Sequence, residues 1–208
     1  MIRAGVLVSG GGTNLQAIID KVKSGYISNM EIVVVVSSQP GAYALTRASD
    51  NGIAAEVCGK KDYASDAKYD EALVGIIEKY DVDIVVMAGF LSILGEKFVS
   101  KYSNKIFNIH PALIPSFCGK GMYGIRPHQA ALDYGVKVVG ATVHFVNEEP
   151  DGGPIILQKA VDVLEGDTAE ILQKRVMEQA EWEILPKALK LYCEGKIVVE
   201  GRKVIIKE

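Results

Sequence analysis

Asn108 and His110 stand two residues apart in Asn108-Ile109-His110-Pro111. The run Ile106–Ile109 reads as a strand that ends near His110, because Pro111 cannot continue a ladder. Strand residues two apart project to one side, so the two side chains emerge together. An imidazole moves protons near neutral pH, and an asparagine amide can steady a developing oxyanion. A lone histidine more often caps a strand end; the neighbouring Asn and the strand-end position favour chemistry. Asp151-Gly152-Gly153-Pro154 adds a carboxylate on a glycine-rich turn. Beside a histidine, Asp151 would favour the imidazolium, but Asp-Gly is a common turn dipeptide and on spacing alone the turn reading wins.

Ser9-Gly10-Gly11-Gly12-Thr13-Asn14 offers different chemistry. It follows the apolar run Ala4–Val8 and opens an amphipathic segment with Leu15, Ile18, Ile19 and Val22 on one face. A glycine turn at a helix N-terminus presents free amides to an anion. Gly10 and Gly12 match the start of a dinucleotide fingerprint, but Leu15 replaces its third glycine. Ser37-Ser38 stand where an acidic ribose ligand would follow strand two. A small phosphate monoester fits this loop better than NAD or ATP, and a ligand-free turn remains open.

These segments are set in an alternating pattern. Strand-like Ala4–Val8, Ile32–Val36, Ala54–Val57, Asp83–Met87 and Ile106–Ile109 alternate with helical Asn14–Lys23, Ala42–Asn51, Ala67–Tyr80 and Ser92–Tyr102. That grammar implies an α/β fold: an open, mostly parallel Rossmann-like sheet with helices on both faces. Antiparallel strands are expected at the C-terminal end, from Val138–Val146, Ile155–Val161 and a terminal hairpin. Ile114–Pro127 reads as a loop, His128–Tyr134 as a short helix, and Thr168–Tyr192 as a long helix interrupted by Pro186. Glu178 and Glu181, one turn apart on it, are expected to share a face.

Composition narrows the class. The 208 residues make about one domain. The net charge of -3 argues against a dedicated nucleic-acid binder. Cys58, Cys118 and Cys193 form no C-x-x-C pair, which supports neither zinc nor a disulfide framework. The three histidines (His110, His128, His144) lack metal-ligand spacing, and His144, inside a strand, reads as structural. No apolar run is long enough to span a bilayer and no leader is apparent, so a cytoplasmic location and no membrane partner are expected.

Taken in order, Ser9–Gln16 (SGGGTNLQ), Met87–Phe90 (MAGF), Asn108–Pro115 (NIHPALIP) and Thr142–Gln158 (TVHFVNEEPDGGPIILQ) resemble the phosphoribosylglycinamide formyltransferases, a folate-dependent formyltransferase family of purine synthesis. The resemblance runs from Val6 to about Leu189 and implies one formyltransferase domain over 1–208. Its parts would be a phosphate-binding half (1–103), a catalytic and folate-binding half (104–193) and a terminal hairpin (194–208). It implies glycinamide ribonucleotide and 10-formyltetrahydrofolate as substrates, with no metal, no nucleic-acid partner, and a monomer or homodimer. Asn108, His110 and Asp151 would be catalytic. Gly12, Thr13, Asn14, Glu178 and Glu181 would hold the ribonucleotide. Leu91, Ser92, Ile93 and Leu94 would line the folate site, with Asn108 and the loop Asn147, Glu148, Glu149, Pro150 and Asp151. A formyltetrahydrofolate hydrolase or another folate-dependent formyltransferase is the alternative. The chain departs from the family pattern at Glu178, where Gln is common, at Asp66, where an arginine is often found near the folate tail, and in a longer Ser116–Pro127 segment.

Overall fold

A computed structural model describes residues 1–207. The chain divides into two compact units, Met1–Phe107 and the residues from Asn108 onward. Seven strands form one sheet in the order β3-β2-β1-β4-β5-β6-β7, and two more form a separate hairpin, β8-β9. The first five follow the doubly wound order 3-2-1-4-5.

In the first unit, β1 (Ile2–Val8) pairs in parallel with β2 (Met30–Ser37) and with β4 (Ile84–Met87), and β2 pairs in parallel with β3 (Ala54–Val57). Ala4, Val6, Leu7, Val8, Val34–Val36 and Ile84–Val86 are buried, as continuous apolar strands covered on both faces must be. Helices α1 (Thr13–Lys23), α2 (Tyr43–Asp50), α3 (Asp66–Lys79) and α4 (Glu96–Lys101) connect them. The helix expected over Ser92–Tyr102 starts four residues late. Buried Asp70 of α3 accepts hydrogen bonds from Gly95 N (3.0 Å) and Phe98 N (3.2 Å), which caps α4 from a neighbouring element. Residues 91–95 stay irregular, and Leu91 and Ile93 are left 56% and 66% exposed.

The strand β5 (Ile106–His110) leads into the second unit, followed by α5 (Arg126–Tyr134), β6 (Val138–Phe145) and β7 (Ile155–Asp162). The β6 and β7 strands pair antiparallel, with a bulge between Val143 and His144. Pro127 sits in the first turn of α5, where its missing N–H costs nothing, and Gly135 ends the helix in the left-handed region. Helices α6 (Ala169–Val176) and α7 (Trp182–Cys193) are joined by a π-helical turn, Met177–Glu181. The expected interruption at Pro186 thus lies elsewhere: Pro186 stays inside α7, and the wider turn absorbs the distortion upstream of it. Hairpin β8 (Ile197–Glu200) and β9 (Lys203–Ile206) follows, as expected. No helix among the described residues is long and apolar enough to cross a membrane.

Candidate active site

In the first unit the loop after β1 is shaped by Gly12, which caps α1 at φ 71°. A Cβ there would lie 2.7 Å from Ala44 Cβ, so only glycine lets α2 pack this close. Gly10 and Gly11 face open space. Asn14 is buried at the start of α1. Arg47, which sequence reasoning passed over, donates from Nε to Gly11 O (2.8 Å) and from Nη1 to Gln16 Oε1 (3.0 Å), and places a cation against the loop. Ser9 Oγ accepts from Leu91 N (2.9 Å) and shares a 2.7 Å hydrogen bond with Ser38 Oγ. Ser38, of the Ser37-Ser38 pair that stands in place of an acidic ribose ligand, therefore helps to fix the loop.

In the second unit, alternate residues of β5 bring Asn108 and His110 out together, as the spacing predicts. Asp151 reaches them from the turn before β7. Glu149 N donates to Asn147 Oδ1 (3.1 Å) and Gly152 N to Glu149 O (2.9 Å), which close that turn and leave Asp151 at φ 56°. Gly153 is required: a Cβ would fall 1.8 Å from Phe145 O. Asn147, Glu148, Glu149 and Pro150 are exposed along the turn.

The Asp151 carboxylate is the hub. Asn108 Nδ2 donates to Oδ1 (3.4 Å), Gly119 N donates to Oδ2 (2.8 Å), and His110 Nδ1 lies 3.5 Å from Oδ2. Burial pushes this carboxyl up, but the neighbouring His144 ring, the charge of His110 and the Gly119 amide together hold it below the usual carboxylate range. His110 differs from expectation. Asp151 and the Phe117 carbonyl do favour its cation, yet burial outweighs them and the ring is pushed below 6.5. Its Nε2–H donates to Phe117 O (2.9 Å), which orients the ring and leaves Nδ1 facing Asp151.

His144 corrects a reading from sequence. It is buried as a structural residue would be, but it belongs to this cluster. Its Nδ1–H donates to Phe145 O (2.8 Å), so in the neutral ring Nε2 is an acceptor, and Asn108 Nδ2 donates to it at 3.1 Å. Asp151 Oδ1 lies 3.5 Å from the same nitrogen. The bulge in β6 re-aims this side chain, and periodicity carries no sign of a bulge.

The remaining residues divide. Glu181 is buried, whereas Glu178 is exposed and paired with Lys174 at 3.8 Å. The shared face expected for them is absent, because the π turn winds more residues per revolution than an α-helix. In the first unit Leu91 and Ile93 present apolar surface, Ser92 is half-buried and Leu94 is buried. Asp66 pairs with Lys60 at 2.8 Å and Lys68 with Glu71 at 2.9 Å. Burial, with Asp151 and Glu149 nearby, pushes the Cys118 thiol up, away from nucleophilic use. Among the described residues, no group of three or more His, Cys, Asp or Glu could hold a metal ion.

A doubly wound sheet with an amide, an imidazole and a carboxylate converging at a strand end is an arrangement suited to acyl-type chemistry, and the chain belongs to the formyl transferase family, whose profile matches residues 2–189. It is similar to phosphoribosylglycinamide formyltransferase of Haemophilus influenzae, 40% identical over 95% of this chain and 90% of that protein. A solved glycinamide ribonucleotide transformylase 1 from Symbiobacterium toebii superposes with a TM-score of 0.94 at 44% identity, covering 100% of this chain and 95% of that one. The trifunctional purine biosynthetic protein adenosine-3 of Gallus gallus is 44% identical over 95% of this chain. The chain spans about a fifth (19%) of that relative's length.

Proposed function

We propose that this protein transfers the formyl group of 10-formyltetrahydrofolate to the amine of glycinamide ribonucleotide in purine synthesis. The convergence of Asn108, His110 and Asp151, with His144 behind them, carries the reading; similarity to proteins named for this reaction supports it. In the first unit, the Gly12, Thr13 and Asn14 loop, with Arg47 against it, suits a phosphate dianion at a helix N-terminus. The exposed apolar side chains of Leu91 and Ile93 suit a planar ring. Buried Glu181 is the acidic group assigned to the glycinamide end, and exposed Glu178 is the less suited of the pair.

The amine nitrogen attacks the formyl carbon, and negative charge grows on the formyl oxygen. Asn108 meets that oxygen with an N–H, given up from its long 3.4 Å bond to Asp151, while His144 keeps the amide oriented. With Nε2–H held by Phe117, Nδ1 is the working nitrogen of His110. When protonated it stabilises the oxyanion and then donates to the departing folate nitrogen. Asp151 accepts the proton lost by the attacking amine, directly or through water, and returns it to His110. Formylglycinamide ribonucleotide and tetrahydrofolate leave. No metal or covalent enzyme intermediate is required.

Purified protein given both substrates should release tetrahydrofolate and formylated ribonucleotide together, and neither when one substrate is omitted. Formate released without the ribonucleotide would favour the hydrolase instead.

A further inference from the structure

His128 lies in the first turn of α5, 1% exposed, and neither ring nitrogen has a hydrogen-bond partner among the described residues. A buried polar ring without partners is costly, and such groups are almost always satisfied. This ring borders a cavity of roughly 90 Å³, walled also by Pro111, Ala112, Ser116, Phe117 and Ala131. One buried water takes about 10–15 Å³ of such space and needs two to four polar partners. Among the residues that line it, His128 and Ser116 carry the polar side chains, and the other side chains are apolar. Two of those walls belong to the machinery already described. Pro111 directly follows His110, and Phe117 carries the carbonyl that holds His110 Nε2. Phe117 sits at φ 49°, a conformation that needs support from its surroundings, and its ring meets Tyr134 of α5 edge-on at 6.1 Å.

We infer that this cavity holds ordered water bridging the His128 ring to the Ser116–Phe117 segment, and that His128 is thereby a positioning residue for His110. The assignment rests on the proposed formyl transfer only for its kinetic readout. Burial, followed by the charge of His110, pushes His128 down to about 4. The ring therefore stays neutral and offers hydrogen bonds without setting a second cation beside His110.

The test uses the intact protein with His128→Leu and His128→Gln. In wild type, ring protons of His128 should show cross-relaxation with a long-lived water, and His110 should show the Nε2–H tautomer in its ¹⁵N resonances. His128→Leu should lose that His110 signature and lower kcat about ten-fold or more, with KM for both substrates nearly unchanged. His128→Gln, which can still bind the water, should recover most of both. Absence of the water contact in wild type overturns the inference. So does a His128→Leu protein with a higher Tm and unchanged kcat, which would reveal a dry cavity and an orphaned ring. A lower Tm with unchanged kcat and an unchanged His110 signature reduces His128 to packing and also overturns it. Should His128→Leu fail to fold, the wild-type water contact and the His128→Gln kcat decide. If wild type shows no formyl transfer, the functional proposal falls, while the water contact and the His110 resonances still decide the cavity.

Discussion

Asn108 uses both of its N–H groups in the structure, one toward His144 Nε2 and one toward Asp151 Oδ1. Its amide is therefore oriented before any substrate arrives, which is where electrostatic catalysis gains most. Asn108→Ala and His110→Ala should fold with near-native circular dichroism and lose about 10²–10³ in kcat. Near-wild-type turnover in either folded variant would remove it from the mechanism. His144→Phe should keep the volume but release the amide, with kcat falling more than KM rises. That Asn108 and His110 emerge together was legible from their alternate strand positions, whereas Asp151 entered only through the family resemblance, because Asp-Gly by itself reads as a turn. His144 was not, because it lies on a strand that reads as core and only the bulge turns it inward. Arg47 was not, because it sits in a different helix from the loop it braces.

The start of α4 is set by Asp70, 25 and 28 residues upstream of the Gly95 and Phe98 amides it accepts from. Asp70→Ala leaves the Gly95 and Phe98 amides without their acceptor and should cost roughly 1–2 kcal/mol in chemical denaturation. The same change frees residues 91–95, so KM for the folate should rise while kcat changes little. A variant that loses stability with no change in folate KM would detach this segment from folate binding. Strand positions and the mostly parallel sheet could be read from continuous apolar runs and the strand–helix alternation. The late start of α4 could not, because its cap comes from another helix. Nor could the π turn at Met177–Glu181, where Pro186 signalled a disturbance but not its position.

Stability of the whole chain should depend on acid in a defined direction. His128 falls from an ordinary 6.5 to about 4 on folding, and His110 is also depressed. Between those values the unfolded chain binds protons that the folded chain refuses, so stability is full above about 6.5 and is lost as pH falls toward 4. For His128 the loss approaches roughly 3 kcal/mol across that window. Asp151, depressed on folding, adds a loss in the same direction at lower pH. Denaturant midpoints from pH 7 to pH 5 should therefore decline, and the His128→Gln protein should show a shallower decline. An equal slope in both would place the acid sensitivity elsewhere.

Ser9 gives one hydroxyl two duties, as acceptor for the Leu91 amide and partner of the Ser38 hydroxyl, while its neighbours Gly10 to Gly12 form the anion-receiving loop. Filling that loop should stiffen the joint. Deuterium uptake at the Leu91 amide would then slow when a phosphate ester alone is added, so that the first substrate to dock is felt at the segment awaiting the second.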